Sequence, residues 1–187
     1  ALDYGADPTG VSNSTTAISN WITACQASGA RVCYLPGGTY LTDPITQSLN
    51  GLRIVGDGRE KSILKARVAN NPVIAITGAN YFVNVTIDGI GFLGQGKASG
   101  SSGHCVSISD STGGSAQFEI KSAAFTSCGG KGLYIPYMFA GRFRNLIFDE
   151  IGDNHMEIQG GSATIVEGID FKTLEANKVA LWIYSGN

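Results

Sequence analysis

The chain has 187 residues, which is enough for one domain with a sizeable core. Its net charge of −2 and its lack of basic runs argue against nucleic acid as the main partner, and no apolar run reaches the roughly 18 residues of a membrane-spanning helix. Glycine accounts for 26 residues, and charged residues for only 15%, so we expect many tight turns and few long charged helices.

The first predicted element is an amphipathic helix that runs to about Ala27. Asn13 or Ser14 can cap its start, and Gly29 can end it. Its apolar face consists of Ala17, Ile18, Trp21, Ile22 and Cys25. A single helix of this kind ahead of a stack of strands would cover the apolar end of the stack and its unpaired strand edges. We therefore expect it to act as an N-terminal cap.

A strand, a Pro-Gly turn and a second strand follow over residues 31–41. Three stretches of this region, DYGADPTG at 3–10, TTAI at 15–18 and LPGGTY at 35–40, resemble the opening of the pectate-lyase superfamily of right-handed parallel β-helices. The Asp-Pro-Thr-Gly form also resembles the catalytic β-helix of bacteriophage tailspikes, which are trimeric depolymerases of capsule or O-antigen polysaccharide. The resemblance implies a capping segment over residues 1–41 and β-helix coils over 42–187.

Short alternating segments continue the strand pattern at residues 51–58, 62–66, 73–76, 83–87 and 90–92. From Phe92 to Phe125 the spacing is 33 residues instead of the 23 found later, so about ten residues are inserted into this coil. The Gly- and Ser-rich stretch 94–103, with Gln95 and Lys97, is the natural loop. Loops on a rigid scaffold often line binding clefts; a mobile surface excursion is the alternative interpretation.

The C-terminal part repeats one pattern three times. Phe125, Phe148 and Phe171 lie 23 residues apart, and the isoleucines that close the three copies lie 23 and 25 residues apart. A period in the low twenties, built from short alternating runs between glycines and polar turns, indicates a solenoid of stacked β-coils. We therefore predict an all-β fold, a single-stranded right-handed parallel β-helix with an N-terminal capping α-helix.

Alternation within each copy assigns side chains to an inner and an outer face. The predicted inner set is Leu133, Ile135, Met156, Ile158, Leu181 and Ile183, and the predicted outer set is Tyr134, Pro136, Glu157, Gln159, Trp182 and Tyr184. Neighbouring strands are spaced by about 4.8 Å, so Glu157 is expected to lie one strand away from Tyr134 on one side and from Trp182 on the other. We predict that this outer ladder is the functional surface.

The four cysteines carry no metal-type spacing, and no metal or cofactor is predicted. Cys128 aligns with Ile151 and Leu174, both of which are predicted to point inward, so we expect a small, buried and unpaired side chain. Cys25 and Cys33 are close enough in sequence for a disulfide, and the sequence leaves their state open.

Acidic residues concentrate in the middle copy, at Asp149, Glu150, Asp153 and Glu157, with His155 among them. The matching positions of the other two copies are not acidic, so the repeat does not impose this concentration. Hydrolysis of a glycosidic bond needs one carboxyl group as acid and a second as base or nucleophile. We predict Glu157 as the acid, since flanking rings would favour its protonated form, and Asp153, Asp149 or a neighbouring chain as the source of its partner. The alternative is a solvated turn with local hydrogen bonds, in which His155 is a surface residue.

A lyase would instead need a base that removes the proton next to a uronate carboxylate. The candidate bases are His155, Lys131 and Tyr134, and the candidate cations that would neutralise the carboxylate are Arg142, Lys172 and Lys178. The residues predicted to bind sugars, by ring stacking or by hydrogen bonds to hydroxyl groups, are Tyr134, Gln159, Trp182 and Tyr184. Aromatic neighbours also stabilise a sheet without any ligand, which is the alternative role for these rings.

These features predict a polysaccharide depolymerase, with hydrolysis favoured over elimination. The resemblance to tailspikes implies a bacterial surface polysaccharide as partner, a homotrimer, no membrane insertion, and a location on the virion or outside the cell. The alternatives are a secreted lyase or glucanase of the same superfamily and a non-catalytic glycan-binding module. No terminal cap follows Ile183, so we expect the chain to be part of a longer one.

Overall fold

The computed structural model describes residues 1–77, 83–98, 100–109 and 115–184. Over these residues the chain forms an all-β parallel solenoid of about six turns with one short α-helix near its N-terminus, which confirms the predicted fold class. The helix α1 spans Thr15–Ala27 and follows a single 3-10 turn at Leu2–Tyr4. The strands are β1 Thr9–Asn13, β2 Val32–Leu35, β3 Gly38–Thr42, β4 Arg53–Gly56, β5 Ser62–Ala66, β6 Ile74–Thr77, β7 Val83–Asp88, β8 Gly91–Leu93, β9 Val106–Ser109, β10 Ser115–Lys121, β11 Ala124–Thr126, β12 Leu133–Ile135, β13 Met138–Phe139, β14 Arg142–Asp149, β15 Met156–Gln159, β16 Gly161–Ser162, β17 Ile165–Phe171 and β18 Leu181–Tyr184.

Two parallel sheets form the walls of the solenoid. The small sheet has the strand order β18-β15-β12-β9-β6, and the large sheet has 13 strands. The large sheet bends at β14, whose first three residues pair with β10 and whose last three pair with β11. Asn145 lies at this bend with a φ of 52°, a left-handed conformation that asparagine tolerates better than most residues. Each coil therefore presents three outer faces, one on the small sheet and two on the halves of the large sheet.

The 23-residue repeat stacks phenylalanine rings inside the solenoid. The ring centroids of Phe92 and Phe125 lie 5.2 Å apart, those of Phe125 and Phe148 lie 4.6 Å apart, and those of Phe148 and Phe171 lie 5.4 Å apart. These spacings are close to the distance between neighbouring strands, and each aromatic pair adds about 0.5–1.5 kcal/mol beyond its burial. The insertion between Phe92 and Phe125 therefore leaves the register of the stack intact.

The helix α1 packs against β2, with the predicted face buried: Ala17, Ile18, Trp21, Ile22 and Cys25. Ser14 is the N-cap residue and makes no side-chain capping bond, while Oδ1 of the preceding Asn13 accepts the backbone N–H of Thr15 at 2.9 Å. The helix ends at Ala27, before Gly29, since Ser28 takes an extended conformation. A disulfide between Cys25 and Cys33 joins α1 to β2 across a Cα–Cα distance of 5.5 Å.

The prediction that Cys128 is unpaired is wrong. Its side chain is fully buried, as expected, but it forms a disulfide with Cys105 across a Cα–Cα distance of 5.4 Å. The two residues are 23 positions apart, which is one repeat, so successive coils bring them side by side. This separation lies within the range that a disulfide spans.

The inner positions of the small sheet follow the prediction in the middle of the repeat and depart from it near the end. Leu133, Ile135, Met156 and Ile158 are fully buried. Ile183 is 51% exposed, because it lies on the last strand of the small sheet and no further coil covers it among the described residues. Leu174 was also expected to point inward and is exposed. It lies in the turn between β17 and β18, where the spacing of the isoleucines lengthens from 23 to 25 residues.

Candidate functional site

The predicted outer ladder is present on the small sheet. Tyr134 of β12 pairs with Glu157 of β15, and Glu157 pairs with Trp182 of β18. The three side chains differ in exposure: Trp182 is 47% exposed, Tyr134 is half-buried, and Glu157 is only 6% exposed. Polar neighbours therefore cover the carboxylate, while its aromatic neighbours remain open to solvent.

Both oxygen atoms of Glu157 accept hydrogen bonds. Asn154 Nδ2 donates to Oε2 at 2.9 Å, and Gln159 Nε2 donates to Oε1. Lys131 Nζ lies 3.5 Å from Oε2. Asn154 is itself fixed by the next coil, because its Oδ1 accepts the backbone N–H of Val179 at 2.9 Å. Asn154, Gln159 and Lys131 thus surround the two oxygens of Glu157 with hydrogen-bond donors.

Lys131 connects this carboxylate to a second one. Its Nζ lies 3.2 Å from Asp153 Oδ2 and 3.5 Å from Glu157 Oε2. Lys178 Nζ binds the other oxygen of Asp153 at 3.0 Å. Lys131, Asp153 and Lys178 lie in the turns that lead into β12, β15 and β18, and these turns stack because the coils are parallel. We call these residues, together with Glu157, Tyr134 and His104, the Lys131 cluster.

Aromatic rings border the cluster on one side. Lys131 Nζ lies 5.1 Å from the centroid of the Tyr134 ring, within the range of a cation–π contact. The His104 ring lies 5.6 Å from the Tyr134 ring, and its Nδ1 accepts the backbone N–H of Lys131 at 2.9 Å. In a neutral His104 the proton is therefore on Nε2, which can donate but cannot accept.

The charges of the cluster determine which groups are ionised. Burial penalises the ammonium of Lys131, but hydrogen bonding to Asp153 and the charges of Asp153 and Glu157 outweigh it, so the pKa of Lys131 is raised. Burial also opposes the carboxylate of Asp153, yet hydrogen bonds from Lys178 and Lys131 lower its pKa. Burial, followed by the charge of Lys131, lowers the pKa of His104. At neutral pH Lys131 is therefore an ammonium, Asp153 a carboxylate and His104 a neutral imidazole.

The two carboxyl groups lie at a spacing that is relevant to glycoside chemistry. Because Lys131 Nζ is 3.2 Å from one and 3.5 Å from the other, the two oxygens are at most about 6.7 Å apart. Paired carboxyl groups in glycosidases are about 5–5.5 Å apart when they retain configuration and about 6.5–9.5 Å apart when they invert it. The arrangement can thus supply two carboxyl groups, a cation and a sugar-stacking ring on one outer face.

Comparison with known proteins places the sequence in a family. The family model described as rhamnogalacturonase A/epimerase, pectate lyase-like, matches residues 1–186. The chain belongs to this family. Among curated proteins, none matches the sequence significantly.

Solved structures share the fold of this pectate lyase-like chain at low sequence identity. A candidate glycosyl hydrolase from Parabacteroides merdae has a TM-score of 0.73 and 16% identity, with 98% of this chain and 92% of that chain covered. The mannuronan C-5 epimerase AlgE4 A-module from Azotobacter vinelandii has a TM-score of 0.64 and 15% identity, with 97% and 62% covered. The catalytic unit of a GH87 α-1,3-glucanase from Streptomyces thermodiastaticus has a TM-score of 0.53 and 18% identity, with 96% and 41% covered. At these identities the comparisons show the fold alone.

Several residues that the sequence proposed for the site lie elsewhere on this pectate lyase-like solenoid. Asp149 accepts a hydrogen bond from Thr173 Oγ1 at 2.8 Å and, with Lys172, lines a groove on the second half of the large sheet. Glu150 is exposed and accepts a hydrogen bond from Ser127 Oγ at 2.6 Å. Arg142 lines a different groove, on the first half of the large sheet. Asp149, Lys172 and Arg142 therefore lie on faces other than the one that carries Glu157.

The prediction that His155 is a surface or catalytic group is wrong. Its side chain is fully buried, and its ring lies 6.2 Å from that of Phe148 and 5.7 Å from that of Phe171. No side chain in the described structure hydrogen-bonds to either ring nitrogen. The residue points inward because the alternation that turns Glu157 outward is interrupted in the turn before β15. His155 is therefore part of the core.

Sequence reasoning gave too little weight to the turns. The sequence pattern assigns Lys131 and Lys178 only to a lyase and gives no role to His104 or Asn154. Lys131 and Asn154 are one repeat apart, so applying the 23-residue period to the polar turns as well as to the strands would have placed them together. The backbone of Tyr184 pairs with Gln159 as predicted, and its side chain lies outside the described residues.

Two further negative findings apply to the residues that the structure describes. No three His, Cys, Asp or Glu side chains converge there as metal ligands would. No described helix is long and apolar enough to span a bilayer.

Proposed function

We propose that this protein is a polysaccharide depolymerase that binds a bacterial surface glycan across the small sheet and hydrolyses it at the Lys131 cluster. One observation carries the proposal. On the outer face of the small sheet, Asp153 and Glu157 both contact the ammonium of Lys131, which lies beside the Tyr134 ring. Two of the structural neighbours are named as a glycosyl hydrolase and an α-1,3-glucanase, which supports activity on glycans.

The charge states of the cluster suggest how the two carboxyl groups divide the work. Asp153 has a lowered pKa, so it is the carboxylate that acts as base or nucleophile. Glu157 is the second carboxyl group, and to act as the acid it first takes up a proton, which it then gives to the leaving sugar oxygen. Lys131 lies nearer to Asp153 than to Glu157. A substrate that moves the ammonium further toward Asp153 would remove its contact with Glu157 and so allow Glu157 to act as the acid. Tyr134 and Trp182 provide rings on which sugars stack.

A second candidate is elimination or epimerisation of a uronate. It is favoured by the meeting of Lys131, Tyr134 and Lys178 in one cluster, and one structural neighbour is named as a mannuronan C-5 epimerase. The raised pKa of Lys131 keeps it protonated, so it would neutralise the uronate carboxylate. His104 presents only a donor, so Tyr134 would remain as the base. Arg142, Lys172 and His155 lie outside the cluster and do not contribute.

The biological setting is a finer proposal that rests on the sequence resemblance. A tailspike role implies a homotrimer on a phage virion, and the secreted alternative implies a free extracellular enzyme. All four cysteines are paired in disulfides, and disulfides persist in secreted proteins and at virion surfaces but not in the reducing cytosol. The disulfides therefore support a location outside the cytosol in either setting.

The experiment that tests the proposal is product analysis on bacterial capsule and O-antigen polysaccharides. New reducing ends without ultraviolet absorbance of an unsaturated uronate indicate hydrolysis. New reducing ends with that absorbance indicate elimination. Incorporation of solvent deuterium into intact chains indicates epimerisation, and binding without any change in the glycan indicates a non-catalytic module.

The variant Glu157→Gln ties the activity to the cluster. It removes the acid while preserving the shape of the side chain, so we expect hydrolysis to fall by at least a hundredfold and glycan binding to remain. The matched control is Glu167→Gln, which makes the same chemical change at an exposed position on the first half of the large sheet and should leave the rate unchanged. Full activity of Glu157→Gln would exclude Glu157 from the reaction.

A further inference from the structure

The inserted loop at residues 94–98 is firmly attached to the neighbouring coils. The backbone N–H groups of Gly94 and Gly96 donate to the carbonyl oxygens of Thr126 and Ser127 at 2.9 and 2.8 Å. Gln95 Nε2 donates to the carbonyl of Ala66 on the other side. The carbonyl of Lys97 packs so closely on Gly152 that a Cβ at that glycine would have no room. The loop therefore forms a fixed wall, and the interpretation of a mobile excursion does not apply to these residues.

This wall borders a shallow cavity of about 360 Å³ that is open to solvent at the edge of the small sheet. The cavity is lined by Lys97, Ala98, Gly152, Glu175, Ala176 and Lys178. Ligand sites in proteins commonly have volumes of about 300–1,000 Å³, and the three small side chains leave the interior of this one open. Lys178 also binds Asp153, so the cavity shares a wall with the Lys131 cluster.

The charged groups around the cavity include an ion pair that an entering anion would break. Lys97 Nζ forms an ion pair with Glu175 Oε1, and the two side chains are 48% and 36% exposed. The hydrogen bond and the charge of Glu175 raise the pKa of Lys97, so Lys97 is an ammonium. Two lysines and one carboxylate, Glu175, line the cavity, and the charge of Glu150 also acts on Lys97 from outside the lining. An anion that enters would compete with Glu175 for Lys97 and would gain the charge of Lys178.

We propose that this cavity binds the anionic group of an acidic sugar unit, adjacent to the unit that reacts at the Lys131 cluster. The position of this subsite relative to the cleaved bond rests on the proposed function, whereas its binding of an anion does not. The ligand chemistry is a carboxylate or sulfate substituent on a polysaccharide. Glu175 holds Lys97 in place until the substrate anion replaces it.

Two variants that break the same ion pair test the proposal, because they change the charge of the cavity in opposite directions. Lys97→Gln removes a cation and should weaken binding of an anionic oligosaccharide about fivefold. Glu175→Gln removes the competing anion and should strengthen it by a similar factor. Both are made in the Glu157→Gln background, so that no turnover occurs. Dissociation constants are measured by calorimetry at low salt for oligogalacturonate, a sulfated glucan oligomer and a neutral glucan oligomer of the same length.

The outcomes distinguish an anion subsite from a structural ion pair. Opposite shifts that vanish for the neutral oligomer and shrink with added salt support the proposal, and the stronger of the two anionic ligands identifies the substituent. Shifts in the same direction overturn it, because they would show that the ion pair only holds the loop. Lys61→Gln, at an exposed lysine far from the cavity, is the charge-matched control and should change no affinity.

Failure of this inference is separable from failure of the proposed function. If glycans are hydrolysed but neither variant shifts affinity, the subsite is excluded and the hydrolase stands. If no glycan is altered but the opposite shifts are observed, the anion site stands and the hydrolase is excluded.

Discussion

At the scale of single residues, His155 is the most unusual side chain of the core. It is fully buried between Phe148 and Phe171, and it directly follows the turn that carries Asp153 and Asn154. Burial lowers its pKa, against weaker opposing effects of the Thr173 backbone and the Asp149 charge. The folded state therefore favours the neutral ring of His155. Protonation would drive the ring out from between its two aromatic neighbours, and the start of β15 would move with it.

This predicts a loss of stability at mildly acid pH. An unfolded histidine titrates near pH 6.5, and the folded His155 titrates lower, so below about pH 6.5 the unfolded state binds a proton that the folded state does not. The free energy of unfolding then falls as the pH falls, by at most about 1.4 kcal/mol per pH unit for one proton, until the lowered pKa is reached. Urea unfolding at pH 7.5, 6.5 and 5.5 measures this slope.

The variant His155→Phe assigns the slope to this residue. Phenylalanine suits the cage between two rings and cannot be protonated, so the slope should decrease while the stability at pH 7.5 is retained. His104→Gln is the control, because the pKa of His104 is also lowered and its share must be separated. A slope in His155→Phe equal to that of the unmodified protein would contradict the prediction.

The fate of individual residues also shows what a sequence can and cannot predict. Alternation and repeats of 23 and 25 residues placed Tyr134, Glu157 and Trp182 in one row, because strand geometry is regular. The orientation of His155 could not be read in the same way, since it lies in a turn where alternation does not apply. The burial of Glu157 was also missed, because it depends on Asn154 and Gln159 covering it.

At the scale of elements, the disulfide between Cys105 and Cys128 links successive coils next to the site. Cys105 directly follows His104, whose ring accepts the N–H of Lys131, and Cys128 precedes Lys131 by three residues. The crosslink therefore holds together the two coils that carry His104 and Lys131, both of which lie just outside the closed segment. In the chain-entropy description, a disulfide stabilises by restricting the unfolded chain, and it does so more for a longer loop.

Replacing both cysteines, as in Cys105→Ala with Cys128→Ala, should lower the free energy of unfolding by about 3 kcal/mol, given a sequence separation of 23 residues. The matched control is the double replacement of Cys25 and Cys33, which are separated by only 8 residues and should cost somewhat less. Urea unfolding under oxidising conditions measures both. If the first variant were as stable as the unmodified protein, the crosslink would have no structural role.

The repeated elements were predictable and the irregular ones were not, for a physical reason. Stacked strands must keep their register, so a constant period predicts the phenylalanine stack and the two faces of each strand. Turns are free to change length. Leu174, in the turn between β17 and β18, is exposed although its position in the repeat predicts an inward side chain. The inserted loop was predictable as an insertion, but its attachment to Gly152 and Glu175 depends on coils that are remote in sequence.

At the scale of the whole molecule, the three outer faces differ in chemistry. The small sheet carries the Lys131 cluster. The first half of the large sheet carries ion pairs such as Lys121 with Asp88 and Arg144 with Glu167. The second half carries a groove of about 340 Å³ whose aliphatic lining includes Ile63, Leu93 and Ile147. The cluster therefore leaves a separate apolar surface available for contact with other chains.

The homotrimer that the tailspike resemblance implies can be tested on this surface. We expect light scattering at micromolar concentration to give three times the monomer mass of 19.5 kDa. Contact between copies through the apolar groove would remove aliphatic surface from water, so Ile147→Lys should dissociate the trimer. Ile165→Lys makes the same change at a 43% exposed residue of the ion-pair face and should leave the trimer intact.

A monomer at all concentrations would contradict the trimer and favour the free extracellular enzyme. Because every residue of the Lys131 cluster comes from one chain, such a monomer would still hold the complete cluster.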